Sequence, residues 1–229
     1  MIRAVIFDMF ETLATFFETP LYFGAQIAKD AGIPEENFNA LWRPTEHARS
    51  IGEMTLEQTL EMILRENQCY SEKLLKDIVT KRVASKQDCF QHIHSDIIPM
   101  LAKIKEKDIL IGLISNCYSE EVEAIRNSDL FPYFDAAYLS YEQGVWKPDE
   151  EIFVRCMKKL SVKAEECLYI GDGGSYELET ASKLGMTALQ AVWYFKDEFS
   201  HLAERKEDFV QLENPMDVLR YLTEKCLMR

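Results

Sequence analysis

No stretch of this sequence is apolar for long enough to span a membrane. Its start does not read as a secretory signal either, because Asp8 and Glu11 break the early apolar run and no small-residue cleavage site follows. Cys69, Cys89, Cys117, Cys156, Cys167 and Cys226 are scattered with no CxxC pair, which argues against a zinc site or a disulfide framework and fits a reducing compartment. Positive charge is in short supply. The formal net charge is -13, so neither a nucleic-acid backbone nor an anionic membrane is an expected partner. Any phosphate site must therefore be made locally, from a lysine, a metal or backbone amides. Repeats and low-complexity segments are also missing. What these absences leave is a cytoplasmic globular protein. Its 229 residues suffice for one α/β domain, or for a core with a smaller insert.

The organising stretch is Arg3–Leu13. Ala4, Val5, Ile6 and Phe7 form an apolar run without alternation, as expected of a strand buried on both faces of a parallel sheet, and the run stops at Asp8. From about Phe16 to Lys86 the pattern turns helical. Phe38, Leu41, Trp42 and Thr45 share a helical face after Pro34. Thr55 and Gln58 have capping-box spacing ahead of a Leu56, Leu60, Ile63, Leu64 stripe. Ser71 is placed to cap a third helix carrying Leu74, Leu75, Ile78, Val79 and Val83. Beyond this block strands and helices alternate. Strands are expected at 108–115, 136–140, 167–171 and 187–192, with a last helix capped by Asn214. Such alternation predicts a doubly wound parallel sheet, α/β in class.

In a parallel sheet the carboxyl ends of the strands share one edge, where ligands bind. Asp8, Ser115-Asn116 and Asp172 all fall at such ends, and Lys147 lies in the loop before a helix opened by Pro148. Two acids are a suitable anchor for Mg²⁺, which takes carboxylates together with substrate phosphate oxygens. Ser115 and nearby amides can donate to a phosphate, to which Lys147 adds a point charge. The glycines of Asp172-Gly173-Gly174-Ser175 allow backbone to approach an anion or metal closely.

These residues resemble, in order, the motifs of the haloacid dehalogenase-like hydrolase superfamily. Asp8-Met9-Phe10-Glu11-Thr12 is similar to its first motif, Ser115-Asn116 to its second, Lys147-Pro148-Asp149 to its third, and Gly171-Asp172 with Glu177 to its fourth. The resemblance implies a Rossmann-like core of residues 1–15 and 88–229, with a helical cap of residues 16–87. It implies that Asp8 is the nucleophile, forming an aspartyl intermediate that water hydrolyses. Asp8, the backbone carbonyl of Phe10 and Asp172 would bind Mg²⁺, with Glu177 in its outer shell. Ser115, Asn116 and Lys147 would hold the transferring group of a small phosphorylated, or otherwise anionic, substrate.

One position departs from the pattern. Phosphatases of this superfamily carry a second aspartate two residues after the nucleophile as general acid and base, and here Phe10 stands in its place. An aromatic ring transfers no proton, and Glu11, one place on, should face elsewhere. An aromatic residue here resembles the 2-haloacid dehalogenases, whose halide leaves without protonation. The acid pair Asp172 and Glu177 points the other way, towards metal-dependent phosphoryl chemistry. The expected activity is therefore phosphate-ester, or acyl or aryl phosphate, hydrolysis. Dehalogenation and non-catalytic binding of a phosphorylated ligand on the same fold stand as alternatives. His92 and His94 are expected at the surface or at a hinge rather than on a metal. Arg43 and Arg49 are expected on a solvated face of the cap, with reach to an anionic substrate as the alternative, and Trp193, Tyr194, Phe195 and Phe199 in a packing or contact cluster.

Overall fold

The computed structural model describes residues 1–196 and 204–227. Phe199 and the side chain of Cys226 lie outside the described residues. Strand β1 (Ala4–Phe7) is followed by helices α1 (Gly24–Ala31), α2 (Glu35–Trp42), α3 (Glu46–Ser50), α4 (Leu56–Glu66) and α5 (Glu72–Asp88). Helix α6 (Ile97–Lys105) then leads into β2 (Leu110–Ser115), α7 (Ser119–Arg126), β3 (Ala136–Leu139), α8 (Ser140–Gln143) and α9 (Glu150–Leu160). The chain ends with β4 (Cys167–Gly171), α10 (Glu177–Lys183), β5 (Thr187–Ala191), β6 (Val210–Leu212) and α11 (Asp217–Leu227).

The strands form one six-stranded sheet in the order β3-β2-β1-β4-β5-β6, and every pairing is parallel. Strand β1 is central, and all four of its residues are fully buried. Its alternate side chains feed two separate cores. Val5 and Phe7 pack with Met100, Leu101 and Ile104 of α6 and Val218 of α11. Ala4 and Ile6 face Ile152, Phe153 and Cys156 of α9 and Leu178 of α10. This two-sided burial is why the run carries no polar alternation.

Helices α1 to α5 contain a third apolar cluster, with Ile27, Phe38, Leu60, Ile63 and Ile78 buried in it. The expected caps form. Thr55 Oγ1 accepts the Gln58 N–H at 3.2 Å, while Gln58 Oε1 accepts the Thr55 N–H at 2.9 Å. Ser71 Oγ accepts the Leu74 N–H at 3.2 Å. The apolar stripe foreseen for α5 is only half of its inward face. The buried positions of α5 are Ile78, Arg82 and Lys86, one turn apart. Arg82 pairs with Glu120 at 3.1 Å and Lys86 with Glu121 at 2.6 Å, and none of the four side chains is more than 3% exposed. These pairs join α5 to α7, so the helical layer is fastened to the sheet layer by buried charge. Helix α1 and the edge strand β6 were not individually foreseen. The five described cysteines are free thiols. No described helix is long and apolar enough to cross a membrane.

Candidate active site

Asp8 continues the β1 ladder by one residue, its N–H donating to Ile170 O at 2.9 Å. The chain then turns tightly. Leu13 and Ala14 N–H groups both donate to Met9 O, and Glu11 sits at a φ of 57°. Two distant residues pin this turn. Trp193 Nε1 donates to Thr12 O at 2.9 Å, and the Tyr194 hydroxyl accepts the His94 N–H at 2.7 Å while lying 3.5 Å from Leu13 O. The aromatic residues after β5 thus buttress the loop that follows Asp8. Glu11 is spent locally, accepting Thr15 Oγ1–H at 2.5 Å and the Phe16 N–H at 3.0 Å. Burial raises its carboxyl above the usual range. The half-buried Phe10 ring stacks on Phe16 with centroids 4.7 Å apart.

Lys147 is the centre of the site. It is 2% exposed, and its Nζ lies 2.5 Å from Asp8 Oδ1 while also pairing with Glu177. Asn116, just past the end of β2, holds the lysine backbone from both sides. Asn116 Oδ1 accepts the Lys147 N–H at 2.7 Å and Nδ2 donates to Lys147 O at 2.9 Å. Its side-chain amide is thus engaged in orienting Lys147. Ser115 is fully buried beneath, its hydroxyl 3.3 Å from Asn116 O.

Asp172 and Glu177 come from the turn joining β4 to α10. Glu177 reaches back under the strand end because Gly171 leaves it room: a Cβ there would lie 2.0 Å from Glu177 Oε1. Gly173, at a φ of +91°, donates its N–H to Glu177 at 3.3 Å, and Gly174 donates to Asp172 at 3.0 Å. The Tyr169 hydroxyl donates to Glu177 at 3.0 Å. These amides serve the chain's own acids, not an open anion cradle.

Asp8, Asp172 and Glu177 each bring an oxygen within 4.8 Å of the others. Burial, with Glu177 beside it, pushes Asp8 up to about 7 against the pull of Lys147. Burial, then Glu177 and Asp8, hold Asp172 well above the carboxylate range. Burial would lower Lys147, but Asp8 and Glu177 outweigh it and keep the ammonium charged. One cation therefore faces three acids. Among the described residues no lysine or arginine comes within 4.0 Å of Asp172. An all-oxygen, electron-rich set with unbalanced negative charge suits a hard divalent cation, so the donors present fit Mg²⁺.

One cavity reaches the cluster at Lys147, and a second borders the same Asn116 and Tyr118. The first, of about 360 Å³, is lined by Lys147, Gly174, Ser175, Glu46 and Tyr176. The other, of about 290 Å³, lies against the helices of the insert and is lined by Phe10, Trp42, Arg49, Arg82 and Lys86. Asn116 and Tyr118 border both. Arg43 is exposed as expected, but Arg49 is 2% exposed and faces inward, so the solvated face expected for it is wrong. Trp42 and Tyr118 rings cover its guanidinium and take it from solvent. His94 Nδ1 accepts the Asp96 N–H at 3.1 Å, a turn contact. Among the described residues neither it nor His92 belongs to a metal-spaced cluster. Sequence reasoning missed Arg82, Lys86, Glu120 and Glu121, although i, i+4 continuation from Ile78 was the available signal.

A family model described as haloacid dehalogenase-like hydrolase matches residues 2–185. A glyceraldehyde 3-phosphate phosphatase of Methanopyrus kandleri is 23% identical over 242 aligned positions, covering 98% of each chain. Among solved structures, the HAD phosphatase of Thermococcus onnurineus superposes with a TM-score of 0.66 at 15% identity, covering 96% of this chain and 98% of that one. The L-2-haloacid dehalogenase of Xanthobacter autotrophicus superposes with a TM-score of 0.64 at 18% identity, covering 97% and 99%. At such identities the structural likenesses speak for the fold, and they divide between both chemistries. The family match spans most of the chain and includes all four motifs, and the chain belongs to the haloacid dehalogenase-like hydrolases.

Proposed function

We propose that this hydrolase is a Mg²⁺-dependent phosphatase of a small phosphorylated molecule, working through an aspartyl-phosphate on Asp8. The observation that carries this is the cluster of buried Asp8, half-buried Asp172 and buried Glu177, with a single lysine paired to the first and last. A dehalogenase has no use for so many acids, which would repel a carboxylate substrate unless a cation lay among them. The name of the Methanopyrus relative supports the same chemistry. Asp8, Asp172 and the Phe10 carbonyl would hold Mg²⁺, with Glu177 behind them. Once bound, the ion would offset the charge of the phosphoryl oxygens.

Asp8 attacks phosphorus, the leaving oxygen departs, and water then cleaves the acyl phosphate to restore the carboxylate. Lys147 fixes the attacking carboxylate and gives its charge to the phosphoryl group, while Asn116 and Ser115 set the lysine and the strand end. Residues 16–87 act as a cap over a core of residues 1–15 and 88–229, excluding bulk water during transfer. Phosphate release from p-nitrophenyl phosphate should require Mg²⁺, stop with EDTA, and be lost in Asp8→Asn. Halide release from 2-chloropropionate with EDTA present would instead establish the dehalogenase reading. Absence of both, with phosphate-ligand binding retained, would make the protein a binder.

A further inference from the structure

The cavity against the insert holds a cation with no direct ion-pair partner among the described residues. Arg49 is 2% exposed, and its guanidinium carbon lies 3.8 Å from the centroid of the Trp42 ring and 4.6 Å from that of Tyr118. One ring comes from α2 and the other from the loop before α7, so the guanidinium is enclosed where the two layers meet. Its Nε donates to Thr45 Oγ1 at 3.0 Å, but buried Nη1 has no hydrogen-bond partner. The two other cations lining the cavity are matched: Arg82 to Glu120, and Lys86 to Glu121. Among the described residues no carboxylate comes within 4.0 Å of Arg49 in the same way. An arginine does not shed its proton, so burial leaves a full charge and at least one donor unsatisfied. Keeping such a group dry costs stability unless a ligand completes it. The planar edge of a guanidinium complements carboxylate or phosphate oxygens, and two parallel N–H donors fix their orientation.

The cavity also has the right place and size. Its volume of about 290 Å³ admits a group of a few heavy atoms. It shares Asn116 and Tyr118 with the cavity that reaches Lys147, so the two cavities meet the same pair of residues beside the acid cluster. We propose that Arg49 anchors a second anionic group of the substrate, so that the preferred substrates are small molecules with a phosphoryl group at one end and an oxyanion at the other. This rests on the phosphatase reading for the first anion, but the second contact can be read separately by binding. A phosphate ester ending in an alcohol or aldehyde could accept from Nη1 but would leave the guanidinium charge unpaired.

The test is calorimetric titration of the full-length protein, with Mg²⁺, using 3-phosphoglycerate, glycerol 3-phosphate and glycerol 1,3-bisphosphate. The parent should bind 3-phosphoglycerate and the bisphosphate at least about tenfold more tightly than glycerol 3-phosphate, the scale of a charge-assisted contact. Which of the two ligands with anionic groups at both ends binds better decides between a carboxylate and a second phosphate. Arg49→Met keeps the stem between the rings and should bring the three affinities together, whereas Arg49→Lys should retain part of the preference. Thermal melting monitors the fold of each variant. A parent without preference, or a preference surviving in folded Arg49→Met, overturns the proposal. The parent measurement decides the matter even if that variant does not fold. No preference combined with Mg²⁺-dependent hydrolysis of p-nitrophenyl phosphate removes the Arg49 subsite alone. If that hydrolysis is absent as well, the phosphatase reading falls with it.

Discussion

Replacing Phe10 with aspartate tests how this site manages without the usual proton donor. General acid catalysis contributes about 10²–10⁴-fold, or about 2.7–5.4 kcal/mol of barrier at about 1.36 kcal/mol per tenfold. That help matters only when the leaving group is a poor one. Alkyl phosphates should therefore be slow in the parent, while aryl and acyl phosphates, whose leaving groups depart as stable anions, should be turned over readily. Phe10→Asp gives up the 4.7 Å stack with Phe16, worth about 0.5–1.5 kcal/mol. The new carboxylate would also lie near Lys86, whose Nζ is 5.9 Å from the Phe10 ring and already committed to Glu121. Competition from that lysine puts the expected gain at the low end of the range, about 10-fold for an alkyl phosphate and under 2-fold for an aryl one. Initial rates of phosphate release from ethyl phosphate and p-nitrophenyl phosphate, with Mg²⁺ saturating, give both numbers. If the parent hydrolyses the two at similar rates, the reasoning fails. Glu46, an exposed carboxylate lining the cavity beside Lys147, would then be the next candidate donor.

Three further outcomes follow from the geometry. Asp172→Asn should weaken Mg²⁺ binding and abolish metal-dependent turnover, because an amide replaces a charged ligand; unchanged affinity by calorimetry would remove Asp172 from the metal site. Gly171→Ala puts a methyl where Glu177 Oε1 now lies, 2.0 Å away, and should cut kcat by about 100-fold through displacement of that carboxylate, while the circular dichroism spectrum stays that of the parent. Lys86→Met strands Glu121 without its partner and should cost about 3–5 kcal/mol, lowering Tm by about 10 °C. Adding Glu121→Gln should restore most of the loss, since an amide oxygen still accepts the Tyr118 N–H that Glu121 Oε2 now takes at 2.9 Å. A double variant no more stable than Lys86→Met would show that the buried pair is not what Lys86 contributes.

Strand ends were legible because apolar runs mark buried parallel strands, and parallel strands deliver their ends to one edge. Asp8, Lys147 and Asp172 could therefore be brought together from their places at strand ends, whereas Glu177 entered only through the resemblance to the family's fourth motif. The side-chain partners were not legible, because they depend on how layers dock. Asn116 reads as a phosphate donor until the loop carrying Lys147 is seen lying across it. Glycines 173 and 174 read as an open cradle, yet their amides already serve Glu177 and Asp172. Helical stripes are recognised by apolar residues, so the stripe on α5 is lost to view where it passes from Ile78 to Arg82 and Lys86. For the same reason Arg49 was assigned to solvent. A charged residue in a short helix gives no sequence sign that two aromatic rings, one of them in the other layer, will enclose it.

The central position of β1 has a consequence for how the protein is made. This strand is synthesised well before its neighbours β2 and β4, which begin at Leu110 and Cys167. Until those emerge, Ala4 to Phe7 form an apolar segment with unpaired backbone on both edges. The turn after Asp8 is braced later still, when Trp193 arrives to take Thr12 O. Pairings so far apart in sequence are slow to close and leave exposed strands open to aggregation meanwhile. Helices α1 to α5, built from local contacts, can settle early, while the sheet edge that carries Asp8 and Asp172 must wait for β4. A nascent chain stalled before β4 would thus carry a formed helical layer and an unassembled acid cluster.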